Sequence, residues 1–325
     1  MAAIAIIGAG SFGTALASLL GGKGHFVFLW ARRKELADEI NATHQNKTYL
    51  SHVTLLPTVR ASSSLEECMK DASVVVLAVP SQYLRQTLSE AKTFFRKETI
   101  IVHVIKGIDD SGKLVSQILS EELPYNPIAV LAGPNHAEEV AKNLPTATVI
   151  ASRNKRAREQ LCSIFSTPSF KTYPHDDIVG VEICGAVKNI VAIAIGVCDG
   201  LNMGDNAKGS ILTLGLTEMG TIARRVGAKR ATAFGLAGVG DLVATCFSKH
   251  SRNRFVGERL AQGKSMDEII KEMHGMVAEG VKNARIVHDL CKKHSITAPL
   301  ITQAYMVLHE GVDLKKGIAQ LLALV

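Results

Sequence analysis

The apolar run over residues 3–7 breaks at once into Gly8-Ala9-Gly10-Ser11-Phe12-Gly13 and resumes as Thr14-Ala15-Leu16-Ala17-Ser18-Leu19-Leu20. That order reads as strand, glycine turn and helix, and it constrains the fold more than any other stretch of the chain. Gly8 permits the tight turn, Gly10 lets backbone N–H groups approach a pyrophosphate, and Gly13 lets the helix lie close to the strand. The helix N-terminus then faces the anion. A second strand-like run over 25–30 completes a βαβ unit, the context that a dinucleotide site requires.

After Trp30, where a carboxylate would bind the ribose 2′-hydroxyl of NAD, the chain carries Arg32 and Arg33. Two guanidinium groups suit a 2′-phosphate. The competing reading is a pair of solvated arginines opening the helix over 34–42.

Strand-like apolar segments recur at 74–79, 99–104 and 128–132, with helical stretches between them. Continuous apolar strands alternating with helices predict a parallel sheet covered on both faces. Two further strands are read at 146–151 and 169–173, with a helix between them. Past Asp176-Asp177 such runs stop and the chain reads helical, with glycine turns near 200–204, 235–240, 263 and 275 and Pro299 opening a late helix. The 325 residues therefore predict an α/β protein of two domains: a Rossmann-like doubly wound sheet domain over 1–178, followed by an all-helical C-terminal domain over 179–325. Lys106 and Gly133 fall at the carboxyl ends of predicted strands, where an open α/β sheet binds ligands.

The formal charge of +7 is scattered and aromatics are only 5% of the chain, which argues against nucleic acid and fits an anionic small molecule. Six cysteines show no C-x-x-C pair and no histidine at metal-ligand spacing, so no metal is expected and reduced cytoplasmic thiols fit. The opening is uncharged up to Lys23 but lacks a basic n-region and holds three glycines, unlike a signal segment. The apolar run 190–198 is too short to span a bilayer.

Lys188 has Cys184, Gly185, Val191, Ala192 and Ile195 as its helical neighbours, so it lies within an apolar stripe. Such a lysine either snorkels to water or is held for chemistry with a lowered pKa; beside a dinucleotide fold we favour chemistry. Asp241, behind Gly238 and Gly240, reads as a helix N-cap or as a carboxylate that orients an ammonium or a substrate hydroxyl. Glu279 is similarly ambiguous, and Glu218 reads as structural.

The segments 8–17, 105–107, 133–139, 186–194, 204–208, 238–242, 250–253 and 279–281 together resemble, in order, the bacterial NAD(P)-dependent glycerol-3-phosphate dehydrogenases. The resemblance implies reversible reduction of dihydroxyacetone phosphate to sn-glycerol 3-phosphate, supplying glycerophospholipid synthesis. It implies Lys188 as proton donor and acceptor, with Lys106, Gly133, Asn135, Asp241, Ser251, Arg252 and Asn253 on the substrate. It implies Ser11, Phe12, Arg32, Lys106, Ala137, Arg252, Val277 and Glu279 on the cofactor, which is NADPH or NADH with NADP preferred. The expected partner is a small phosphorylated substrate, with no nucleic acid and no membrane insertion; oligomeric state is open, a homodimer being the assembly considered.

Two other readings compete. A ketopantoate or β-hydroxyacid reductase would share the architecture but bind a carboxylate, whereas the basic cluster 249–254 favours a phosphate. A non-catalytic dinucleotide sensor would have no need of an ammonium on an apolar helix.

Overall fold

The computed structural model describes residues 1–273 and 278–323. Two compact units emerge, Met1–Ile105 with Val115–Ile178, and Lys106–Leu114 with Val179–Val325. Residues 106–114, expected in the first unit, group with the second. Ile108 and Leu114 explain this correction: both are buried in the apolar core of the helical unit and they bridge each other, while Asp109 turns the segment by accepting from the N–H groups of Ser111 and Lys113.

The first unit carries ten strands: β1 Ala3–Ile7, β2 Phe26–Trp30, β3 Gln45–Asn46, β4 Leu50–Thr54, β5 Val59–Ser62, β6 Val74–Leu77, β7 Ile100–His103, β8 Ile128–Ala132, β9 Thr146–Ala151 and β10 Phe170–His175. Eight form one sheet in the order β10-β9-β8-β7-β6-β1-β2-β5, and β3 pairs with β4 in a separate antiparallel hairpin. Burial explains the order. The central β6 and β7 are buried at every residue, as strands covered on both faces must be. The edges β5 and β10 alternate buried with exposed residues, and β10 tolerates Pro174 because an edge strand can forgo a ladder donor. All neighbours run parallel except β8 and β9, an antiparallel pair that the predicted all-parallel sheet did not include.

From β1 the chain proceeds outward through β2 and β5, then returns to place β6 on the other side of β1. The order therefore reverses at the carboxyl end of β1, the position at which open α/β sheets bind nucleotides. The glycine turn lies there, followed by the Ser11–Gly22 helix.

In the second unit the Ile178–Gly200 helix is buried almost throughout. The span considered in the sequence was too short: the helix has 23 residues, long and apolar enough to cross a bilayer, but 94% of its most apolar window is buried inside the protein. Two glycines bring the Arg252–Ala261 helix against it. A Cβ on Gly257 would lie 2.0 Å from the Ile193 carbonyl oxygen, and one on Gly196 would lie 2.0 Å from that of Arg254. Only hydrogen at both sites permits this crossing, which fixes the start of the Arg252–Ala261 helix relative to Lys188.

Pro299 opens the Pro299–His309 helix as expected. The buried Glu218 carboxylate caps it by accepting from the N–H groups of Leu300 at 2.7 Å and Ile301 at 3.1 Å. The stretch 235–240, read as a turn, is instead one wide helical turn, Leu236–Gly240, leading directly into the Asp241–Phe247 helix. The turn expected near 275 lies outside the described residues.

Candidate active site

Lys188 is buried, and its ammonium donates to Asp241 Oδ1 at 2.7 Å and to Thr245 Oγ1 at 2.6 Å. Lys106 Nζ donates to the other carboxylate oxygen, Oδ2, at 3.0 Å. One carboxylate thus bridges two ammonium groups. Asp241 is the first residue of its helix and Gly240 occupies the cap position, so Asp241 is not the N-cap; its carboxylate accepts from both ammonium groups instead. Thr245 was not singled out from the sequence. The legible signal was its spacing, since i+4 from Asp241 on a helix places both side chains on one face.

Burial draws the Lys188 pKa down to about 7, against the opposing pull of Asp241 and with help from the positive charge of Lys106. Burial alone would raise the Asp241 carboxyl, but the two lysines outweigh it and hold it below the usual carboxylate range. The cluster therefore contains an ionised carboxylate and an ammonium whose proton is unusually labile. None of the six cysteines forms a disulfide, and burial pushes the neighbouring Cys246 thiol up to about 12.

Ser251 is the N-cap of the Arg252–Ala261 helix, accepting from the Arg254 N–H at 3.2 Å. Arg254 is committed elsewhere, to Asp199 at 2.7 Å and Glu258 at 2.8 Å, which leaves Arg252 as the exposed guanidinium at this helix start. Asn253 is buried and engaged at both ends of its amide: Nδ2 donates to Asn189 Oδ1 at 2.9 Å, and Oδ1 accepts from the Gly280 N–H at 2.9 Å. Asn189 in turn donates to the Lys106 main-chain carbonyl at 3.2 Å. The second unit thus brings together Lys106, Lys188 and Asp241 directly, and links Asn253 to them through Asn189. Glu279 opens the Glu279–Lys293 helix. Val277 lies outside the described residues.

The first unit holds the other candidates. Gly8 has φ +125°, and a Cβ there would meet the Ala78 carbonyl oxygen at 2.7 Å; a Cβ on Gly13 would meet the Gly8 oxygen at 1.9 Å. Gly10 has open space instead. Two glycines close the turn and the third leaves a cradle, the shape expected for a pyrophosphate. The helix that follows has no acidic residue in its first turn and no side-chain cap, so neither neutralises its positive end. Ser11 Oγ donates to the Tyr49 carbonyl at 2.9 Å, and Asn46 Nδ2 donates to the Ala9 carbonyl at 2.9 Å and to Thr14 Oγ1 at 2.8 Å. The hairpin of β3 and β4 therefore braces the turn, a support that the sequence reading missed. Phe12 is half-buried against the sheet core and Ala137 begins the Ala137–Ala141 helix.

Arg32 and Arg33 are exposed, and Arg33 is the residue preceding the Lys34–Thr43 helix. The Arg32 guanidinium lies 5.4 Å from the centre of the Tyr83 ring. Gly133 has φ +143° and is packed against Thr148, whose Oγ1 accepts from Asn135 Nδ2 at 3.3 Å. Turn cradle, unneutralised helix start and exposed arginine make up a donor set that fits a dinucleotide phosphate.

Comparison with known proteins gives the same picture. Residues 3–158 match the family model described as the N-terminus of NAD-dependent glycerol-3-phosphate dehydrogenase, and 177–319 match that of its C-terminus. A Chlorobium limicola protein named glycerol-3-phosphate dehydrogenase (NAD(P)+) is 45% identical over 323 residues, covering 98% of this chain and 97% of its own length. The crystal structure of glycerol-3-phosphate dehydrogenase from Coxiella burnetii superposes with a TM-score of 0.95 at 39% identity, covering 98% of each chain. A ketopantoate reductase from Ralstonia eutropha reaches a TM-score of 0.61 at 15% identity over 98% of this chain and 99% of its own, a likeness of fold alone.

Proposed function

The chain belongs to the NAD-dependent glycerol-3-phosphate dehydrogenase family, and on that premise we propose that it catalyses the NAD(P)-linked interconversion of dihydroxyacetone phosphate and sn-glycerol 3-phosphate, with Lys188 moving the proton at the C2 oxygen. The observation that carries this assignment is the Lys188 ammonium held between Asp241 and Thr245, with Lys106 on the far carboxylate oxygen. The glycine turn of the first unit serves the nucleotide, and the Lys106, Lys188 and Asp241 cluster of the helical unit serves the proton transfer.

When bound, the nicotinamide supplies or accepts the hydride at C2. Everything else falls to side chains. As the carbonyl oxygen gains electron density, the Lys188 ammonium gives it a proton and becomes a neutral amine; in the reverse direction that amine takes the proton from the C2 hydroxyl. Two ammonium hydrogens go to Asp241 and Thr245, and the third is the one transferred. A pKa near 7 keeps both forms accessible at neutral pH, as a reversible reaction requires. Asp241 orients both lysines, and the Lys106 charge stabilises the developing alkoxide. Arg252 takes the substrate phosphate beside the Ser251-capped helix start.

Gly8, Gly10, Gly13, Ser11 and Phe12 hold the nucleotide at the turn, with Ala137 and Glu279 as further cofactor residues. Arg32 would hold the 2′-phosphate of NADPH, so NADPH should serve at least as well as NADH. Work in the cytoplasm and supply of the glycerophospholipid backbone follow from this reading.

The test is NAD(P)H oxidation with dihydroxyacetone phosphate beside ketopantoate, in the wild type and in Lys188→Ala. Turnover confined to dihydroxyacetone phosphate, and lost by about 10²–10⁴-fold in the variant while nucleotide binding persists, is expected. Preference for ketopantoate, or near-normal kcat in Lys188→Ala, would overturn the assignment.

A further inference from the structure

Asn283 is completely buried in the Glu279–Lys293 helix. Its Nδ2 donates to two main-chain carbonyls, those of Lys106 at 3.1 Å and Ala186 at 3.3 Å. The Lys106 carbonyl also accepts from Asn189, so two donors on two different helices fix its direction. Ala186 precedes Lys188 by two residues in the same helix. The single amide that holds the backbone of one lysine thus also holds the helical turn of the other.

Two features show that this amide is present for its donors. Asn283 Oδ1 is buried with no hydrogen-bond donor among the described residues, a penalty that an apolar side chain of the same volume would avoid. The neighbouring backbone is equally constrained: a Cβ on Gly280 would lie 2.6 Å from both the Asn189 carbonyl oxygen and Asn253 Oδ1, so only glycine lets its N–H reach Asn253.

We infer that Asn283 is a positioning residue for the reaction, setting the separation of Lys106 and Lys188 so that both ammonium groups meet on the one carboxylate of Asp241. The inference rests on the proton-transfer reading above. Asn283 acts through the main chain of Lys106 and of the helix carrying Lys188. Without its donors, the Lys106 carbonyl loses one of the two amides that fix its direction and keeps that of Asn189, and the Lys106 ammonium loses its fixed place on Asp241.

The groups facing Lys188 are Asp241 and Cys246 from the Asp241–Phe247 helix and Lys106 from its own segment. Cys246 stays neutral across the working range. Withdrawal of Lys106 therefore removes a positive neighbour from Lys188 and leaves Asp241 to pair with it alone, and both changes raise the pH at which Lys188 loses its proton.

The experiment compares Asn283→Ala and Asn283→Ser, each alone and combined with Lys106→Met, in the full chain. Displacements of about 1 Å in an active site reduce rates by up to about 100-fold, so kcat for dihydroxyacetone phosphate reduction is expected to fall roughly ten- to a hundredfold. KM for NADPH stays within about twofold, because the nucleotide turn is untouched. The midpoint of the pH–rate profile moves upward, and the Asn283 change adds little once Lys106 is methionine. An unmoved midpoint, or a loss that is fully additive with Lys106→Met, makes Asn283 a packing residue and overturns the inference. Should Asn283→Ala fail to fold, Asn283→Ser carries the same comparison with one donor retained. Lys188→Ala separates the two levels: full activity there sinks the proton-transfer reading, whereas an inactive Lys188→Ala beside wild-type Asn283 variants sinks only this inference.

Discussion

Lys106 and Lys188 lie 82 positions apart in the sequence yet bind the two oxygens of one buried carboxylate, at 3.0 Å and 2.7 Å from Asp241. A buried ammonium such as that of Lys188 is costly unless paired, and with the half-buried Lys106 on the same carboxylate the cluster keeps a net positive charge. That residual charge is what a reaction developing an alkoxide can use.

Asp241→Asn tests the bridge. It keeps shape and removes charge, leaving two lysines near each other without their counter-ion. Breaking a buried pair by removing one partner costs about 3–5 kcal/mol. We expect stability to fall by that order in chemical denaturation at pH 7, and kcat to fall by at least about 100-fold. A variant that retains both would show that the lysines find compensation elsewhere.

Glu218 gives a pH dependence of stability that is separate from catalysis. Burial raises its pKa to about 7, against the two N–H groups of Leu300 and Ile301 that favour the anion. An unfolded glutamate loses its proton near 4.5, so between about pH 4.5 and 7 the native state binds more protons than the unfolded state. Stability contributed by this group is therefore fully present below about pH 4.5 and declines as pH rises to about 7. Glu218→Gln removes the titration. The stability of the wild type relative to this variant should drop by up to about 3 kcal/mol from pH 4.5 to 8. A constant difference across that range, measured by urea denaturation, would show that Glu218 is ionised throughout.

Local chemistry explains what the sequence made legible. The glycine turn, the buried central strands and Lys188 on its apolar stripe each carry their signal within a few residues, at helical or strand period. β5 was missed because an edge strand such as Val59-Arg60-Ala61-Ser62 buries one face only and reads as mixed polarity. The sequence marks β9 as a strand but not its antiparallel pairing with β8, because direction is a property of the connection and leaves no mark within the strand. Thr245, Asn189 and Asn283 were missed for a different reason. Each acts on a partner 57, 83 or 177 residues away; the i+4 spacing of Thr245 from Asp241 places it on that face without pointing to Lys188, and the two amides have no local signature at all. The arginines of the cluster 249–254 looked alike in sequence; only the structure shows Arg254 tied to Asp199 and Glu258 and Arg252 exposed.

Arg32 should decide the nucleotide preference. Its guanidinium stands over the Tyr83 ring at 5.4 Å and is exposed beyond β2. Stacking of this kind preorganises a planar fork for a phosphate. Arg32→Ser removes a charged hydrogen-bond donor worth roughly 1.5–3 kcal/mol, which corresponds to about a ten- to a hundredfold loss in affinity. The loss should fall on NADPH, with NADH nearly unaffected. Isothermal titration with both nucleotides measures this directly, and equal losses would assign the 2′-phosphate to other donors.

Arg252 should carry the substrate phosphate. The stretch also begins a helix in the ordinary way, since Ser251 caps it by accepting from the Arg254 N–H. But Arg254 is neutralised by Asp199 and Glu258, whereas Arg252 is exposed beside an anion-attracting helix N-terminus. The crossing at Gly196 and Gly257 fixes that helix start against the Lys188 helix, so a phosphate bound there has a set reach to the proton donor. Dihydroxyacetone phosphate is small, and its dianion offers most of the available binding energy. Arg252→Ala should therefore raise KM for dihydroxyacetone phosphate by about ten- to a hundredfold, the loss expected for one charge-assisted phosphate contact. In the wild type, sulfate should compete with the substrate, and in the variant that competition should weaken in parallel. Steady-state kinetics with and without added sulfate decide the matter: an unchanged KM, or sulfate inhibition that survives the substitution, places the phosphate on other residues.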